Sequence, residues 1–222
     1  YAGCILAEEY PYIVIMDDDV TIPPNIDFKP EWIDDHVRAV CYPIKAIPER
    51  GPDTVFVDCQ ALEYKICDYA KMIQSKYSTV LYPHGAISIW DRPTLMRILR
   101  WHDTVFYADD VKMGLLLQTQ GYEMRMAPSV LIDTDAPATV CGAMPNYWNQ
   151  RVRSWDMAEH VYFWQFIKIL FTTRHRTLYG TLWMKMFQFY SVFTIIADWL
   201  RLMVITLYLV IGPIVFLQMM AC

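Results

Sequence analysis

This sequence predicts an α/β domain followed by membrane-associated helices, on three observations. Five apolar residues, Tyr12-Ile13-Val14-Ile15-Met16, end abruptly in Asp17-Asp18-Asp19. That is the pattern of a short buried strand, in a parallel sheet covered on both faces, delivering acids to its carboxyl end. Strand-like and helix-like runs then alternate up to residue 145, as α/β domains require. Finally, residues 202–222 are 21 residues without a charge, enough to cross a bilayer core.

Composition narrows the class. With 222 residues and 55% hydrophobic content, one globular domain plus a more apolar part is expected. A net charge of −5 argues against nucleic acid as a partner. The six cysteines, at 4, 41, 59, 67, 141 and 222, form neither a zinc pattern nor a disulfide framework. Reduced, mostly buried thiols on the cytosolic side are the simplest expectation. The sequence has no initiator methionine or signal peptide, begins on Tyr1 and stops inside an apolar run, so it is expected to be a fragment.

The acids after the first strand carry the first chemical argument. Ligands of open α/β sheets sit beyond the carboxyl ends of strands. Three adjacent carboxylates repel unless a cation or solvent relieves them, and Mg²⁺ favours one or two carboxylates plus substrate phosphates. Strand geometry aims Asp17 and Asp19 to one side and Asp18 to the other. Asp17 and Asp19 are therefore candidate ligands of a metal diphosphate; the plain alternative is a solvated acidic turn.

Further along, Pro23-Pro24 ends any strand. Residues 37–47 are β-prone, and 49–53 form a loop. Residues 55–77 read as a helix with Leu62, Ile66, Tyr69 and Ile73 on one stripe. Thr79-Val80-Leu81-Tyr82 reads as a short strand, and Ile87-Ser88-Ile89-Trp90 alternates like a half-buried one. Between them, Gly85 permits close backbone approach to a ligand, and His84 is either a site residue or a structural histidine. Arg92-Pro93 opens a short helix. Asp109 and Asp110 begin another that stops at Gly121; capping and the helix dipole alone would account for both acids. Residues 123–132 are a strand and 133–145 a loop.

From Asn146 the texture changes. Tyr147-Trp148-Asn149-Gln150-Arg151-Val152-Arg153-Ser154-Trp155 joins aromatics to arginines, whose fork suits diphosphate oxygens; a basic surface helix is the alternative. Residues 159–171, with Arg174, His175 and Arg176 behind them, read as a helix in a membrane interface. Residues 177–197, interrupted only by Lys185, are a second apolar segment, spanning or interfacial. If both segments span, residues 198–201 form a tight hairpin. Arg174 and Arg176 put residues 1–176 in the cytosol.

Taken in order, Asp17-Asp18-Asp19, Ala108-Asp109-Asp110, Gln150-Arg151-Val152-Arg153-Ser154-Trp155 and the apolar helices resemble the family 2 glycosyltransferases, specifically the processive membrane synthases of the cellulose, chitin and hyaluronan type. The resemblance implies a GT-A-type catalytic domain over residues 1–145, truncated at its N-terminus, then an interfacial segment over 146–176 and transmembrane helices over 177–222. It implies that Asp17 and Asp19 bind the nucleotide diphosphate through Mg²⁺ or Mn²⁺. Asp110 falls on the catalytic base, with Asp109 where glutamate is usual. His84 and Gly85 resemble the acceptor-side loop, together with Asp109 and Trp155. Gln150 and Arg153 fall on the Q-x-x-R-W motif for the diphosphate, although Ser154 puts the tryptophan one place late, a turn of about 100° on a helix. The family's upstream strand and its uridine-contacting acids are absent, so this chain alone is expected to bind nucleotide poorly.

The implied activity is inverting transfer from a nucleotide sugar, UDP-linked, to a growing glycan, by an integral protein of the plasma membrane with its catalytic part in the cytosol. Two rivals remain open. One is transfer of a single sugar to a membrane lipid, as in ceramide glucosyltransferases; the other is a non-catalytic membrane scaffold.

Overall fold

The computed structural model describes residues 1–48, 54–102, 109–141, 146–150 and 156–220. Its elements in chain order are helix α1 (Ala2–Leu6), strands β1 (Tyr12–Met16), β2 (Val20–Thr21), β3 (Val37–Cys41) and β4 (Ile44–Pro48), helix α2 (Val55–Tyr77), strand β5 (Ile87–Asp91), helices α3 (Arg92–Trp101) and α4 (Asp109–Thr119), strands β6 (Glu123–Met126) and β7 (Ile132–Ala136), and helices α5 (Tyr147–Gln150), α6 (Asp156–Val161), α7 (Phe163–Thr172) and α8 (Leu178–Met220). The strands form a four-stranded sheet, β1-β5-β3-β6, and a three-stranded sheet, β2-β7-β4.

The mixed α/β architecture agrees with the sequence, but β1 does not sit where expected. It lies at a sheet edge, antiparallel to β5, and Val14 and Met16 remain exposed. An apolar run reports a strand's average burial, not the direction of its neighbour or whether both sides are paired. The parallel pairs are instead β3 with β6 and β4 with β7. The β-prone run 37–47 is two strands, one in each sheet. Residues 79–82 are not a strand; they bond to β6 through Val80 N–H on the Met124 carbonyl and Met124 N–H on Thr79 Oγ1.

Local chemistry sets the helix ends. Thr54 caps α2, its hydroxyl accepting from Val57 N–H. Asp91 caps α3, accepting from Thr94 N–H at 3.0 Å, with Pro93 in the first turn. α4 stops at Gly121, whose φ of 79° is the left-handed conformation that glycine adopts without strain.

The predicted stripe of α2 faces outward. Leu62, Ile66, Tyr69 and Ile73 are exposed, whereas Val57, Gln60, Tyr64, Asp68 and Lys71 are buried. Both sets recur at helical spacing, so periodicity locates two faces and hydrophobicity selects the wrong one. On the inward face Val57 and Tyr64 join the hydrophobic core, while Asp68 and Lys71 reach His84 and the Tyr82 carbonyl beneath the candidate site.

The segment expected in the membrane interface is two helices, α6 and α7. Phe163, Phe166 and Ile169 of α7 are buried in one cluster with Val111 and Leu115 of α4 and Val192 and Ile195 of α8. Its outer face carries Trp164, Lys168 and Phe171. No hairpin interrupts residues 198–201: α8 is one helix of 43 residues, about 65 Å long. Its first half packs on the domain through Met184, Gln188, Val192 and Ile195, and residues 198–211 are exposed. Leu178–Gly212 is long and apolar enough to cross a membrane, by length and composition.

Candidate active site

The acidic run bridges the two sheets. Asp17 N–H donates to the Ala86 carbonyl at 3.0 Å, and the Asp19 carbonyl accepts from Asp135 N–H of β7 at 3.1 Å. Gly85 ties this strand end to α4. A Cβ placed on Gly85 would lie 3.5 Å from Asp17 Oδ2 and 3.8 Å from Asp110 Cγ. The glycine turn is thus a thin spacer between two acids that are far apart in sequence.

The tandem acids of α4 diverge. The Asp109 side chain is 72% exposed, with Oδ1 3.8 Å from His102 Nε2, while Asp110 is partly covered and beside Gly85. Burial pushes the Asp110 carboxyl up to about 6, opposed by the Lys71 charge and the Val111 N–H. Asp17 is raised by burial and then by Asp18 and Asp109. Asp19 is raised by burial and then chiefly by Asp17.

Clustered acids that resist ionisation suit a divalent cation, whose charge reverses that resistance. Among the described residues no group of three or more histidine, cysteine or acidic side chains could hold a metal. A cation at Asp17 and Asp19 would have to take its other ligands from phosphate oxygens and water.

Beneath the Gly85 turn lies a buried polar network that sequence reasoning missed. His84 Nε2 is 2.8 Å from Asp68 Oδ1, both side chains being 7% exposed. Asp68 also accepts from Ile44 N–H. Lys71 donates to the Tyr82 carbonyl at 3.0 Å and lies 4.3 Å from the Tyr82 ring centroid. The Tyr82 hydroxyl donates to Glu159 Oε1 at 3.0 Å. His84 is thus fastened from behind, and burial holds it well below the usual imidazole range, so it is neutral. Gln60, Asp68 and Lys71 recur at helical spacing as the polar residues of α2's inner face, a signal legible in the sequence but outweighed there by the apolar stripe.

This network gives a pH signature. Burial raises Asp68 to about 7, above the ordinary aspartate value of about 4. The folded protein therefore keeps this proton longer than the unfolded chain. The stability the proton contributes is complete below about pH 4 and is lost as pH rises through about 7. The wild-type advantage in unfolding free energy over Asp68→Asn is expected to shrink as pH is raised over that window. Denaturant titration of both proteins checks it, and a pH-independent difference would refute it.

A second buried network joins α4 to α8. Gln118 Nε2 donates to the Leu81 carbonyl at 2.6 Å, and Gln188 Nε2 donates to Gln118 Oε1 at 2.8 Å and Thr173 Oγ1 at 3.1 Å. The helix bearing Asp110 is thereby fixed both to the segment leading into Gly85 and to the long apolar helix. Of the Q-x-x-R-W positions, Gln150 ends α5 with a buried side-chain oxygen that has no partner among the described residues. Arg153 and Trp155 lie outside the described residues.

A family model for glycosyl transferase family group 2 matches residues 12–220. The chain belongs to that family. Asp17, Gly85, Asp110 and the first 43 residues of the apolar C-terminal region from Leu178 all fall inside the matched part of this family 2 member. Among solved structures, it is similar to a mannosyltransferase from Pyrobaculum calidifontis determined with GDP-Man and Mn²⁺, at 18% identity and a TM-score of 0.48. The match covers 88% of this chain and 51% of that one, so the chain spans about half the length of that structure. No curated protein matches the sequence.

Proposed function

We propose that this family 2 member is the catalytic and membrane-proximal part of an enzyme that transfers a sugar, with inversion, from a UDP-linked donor to a growing polysaccharide. The observation that supports this reading best is the Gly85 turn holding Asp17 and Asp110 on its two sides. A diphosphate leaving group held at Asp17 and Asp19 places the sugar toward Asp110. Asp110, below neutrality at about 6, is ionised at neutral pH and removes the proton from the acceptor hydroxyl as that oxygen attacks the anomeric carbon. A bound Mg²⁺ or Mn²⁺ supplies charge stabilisation for the departing diphosphate. Gln150 and Arg153 donate to the same diphosphate oxygens, while Gly85, Asp109 and Trp155 line the acceptor side and His84 positions that loop from below.

In this reading α8 crosses the plasma membrane beyond Arg201 and the catalytic part faces the cytosol, where nucleotide sugars are made. The test uses the full-length protein in membranes. Asp19→Asn is expected to abolish incorporation of labelled sugar into polymer while the protein stays folded, because it removes cation-binding charge and little packing. Near-normal turnover by that variant would refute the metal assignment. A product extracted wholly into organic solvent would refute the polysaccharide acceptor in favour of a lipid.

A further inference from the structure

A groove of about 570 Å³ lies on the flank of α4, between α3 and α7. Its lining includes Trp101, Trp164, Arg97, Lys168 and Gln120 and contains no carboxylate. The two tryptophans are 75% and 76% exposed, a large apolar area to leave in water.

Their arrangement is regular. Arg97 and Trp101 are four residues apart on α3, and Trp164 and Lys168 are four apart on α7, so each helix shows one tryptophan and one cation on the same face. The order is reversed between the helices, and the contacts show why. His102, next to Trp101, meets Asp109 at the start of α4, whereas Arg97 donates to the Tyr122 hydroxyl beyond its end. Lys112 donates to Gln165 near the start of both α4 and α7, and Gln188 ties Gln118 to Thr173 near the end of both. α3 therefore runs against α4 and α7 runs with it, which sets both tryptophans at one end of the groove and both cations at the other.

The tryptophan end is where α8 leaves the domain. Phe163 is 5.3 Å from Trp164 and 4.7 Å from Trp199, ring centre to ring centre, and Trp199 Nε1 donates to His160 Nδ1 at 2.8 Å. Beyond Trp199 the described side chains of α8 are exposed. Tryptophans at the foot of an apolar helix are the anatomy of a membrane–water boundary. Cations one turn further from the bilayer suit phosphate-level negative charge.

We propose that this groove seats the headgroup of an anionic phospholipid, with Trp101 and Trp164 at the boundary and Arg97 and Lys168 on the phosphate. The proposal rests on α8 being a membrane span, not on the transfer chemistry. The full-length protein is reconstituted in phosphatidylcholine vesicles carrying equal fractions of brominated phosphatidylcholine or brominated phosphatidylglycerol, and tryptophan quenching by the bromines is measured.

Quenching by the anionic lipid is expected to exceed that by the neutral one. Trp101→Phe with Trp164→Phe should remove the excess. Arg97→Gln and Lys168→Gln should each weaken the preference about fivefold, the usual contribution of one basic group at an anionic surface. Equal quenching by the two lipids overturns the proposal, as does an excess that survives both pairs of substitutions. Relief of the excess by a soluble oligosaccharide also overturns it and assigns the groove to a glycan. Release of the protein from vesicles by alkaline carbonate overturns it together with the span, while sugar transfer, assayed separately, reports on the catalytic reading alone.

Discussion

Asp110→Asn is expected to lower sugar transfer by about 10²–10⁴-fold, the contribution of a positioned general base, with nucleotide-sugar binding retained. Asparagine preserves size and most of the capping ability of a residue at a helix start, but it cannot take a proton. Asp110 is the tandem acid beside Gly85 and Asp17; Asp109 is largely in solvent near His102. Asp109→Asn should therefore cost far less. Single-turnover transfer with matched amounts of each variant in membranes decides the matter. An active Asp110→Asn beside an inactive Asp109→Asn would assign the chemistry to the other acid.

Gly114→Ala is expected to destabilise the protein and inactivate it together. Alanine in a helix interior ordinarily stabilises by about 1 kcal/mol over glycine. Here the added Cβ would meet the Leu81 carbonyl oxygen and stand 2.5 Å from Tyr82 Cα and 2.6 Å from Tyr82 Cβ. Two of these are backbone atoms. Gln118 holds the Leu81 carbonyl and Lys71 holds that of Tyr82, so the segment cannot yield cheaply. α4 would have to withdraw, breaking the Gln118 bond and carrying Asp110 away from Gly85. Overpacking of this kind typically costs about 1–3 kcal/mol, enough to reverse the helix-propensity gain. Gly3→Ala, with nothing within 4 Å of its added Cβ, is the matched control and should be neutral or mildly stabilising. Thermal unfolding of the three proteins in detergent measures the difference; a Gly114→Ala protein as stable as wild type would show that α4 and the 81–82 segment are not in the contact described.

The sequence by itself determined the elements whose cause is local. The acids after β1, the caps of α2 and α3 and the glycine stop of α4 follow from the chemistry of neighbouring residues. So does the run of apolar residues long enough to cross a bilayer. The likeness to family 2 transferases rested on the order of motifs, which the chain itself carries. Only the tertiary structure decided what depends on distant partners. β1 is an antiparallel edge because β5 returns beside it, which no property of Tyr12 to Met16 encodes. Periodicity marked both faces of α2, but only packing showed that Asp68 and Lys71 turn inward, because burying charge is favourable only where partners such as His84 and the Tyr82 carbonyl already wait. The difference in exposure between Asp109 and Asp110 was likewise invisible in a tandem pair. A helix turns each successive side chain by about 100°, and the Gly85 loop, 25 residues before Asp110 in the chain, lies against only that one of the two.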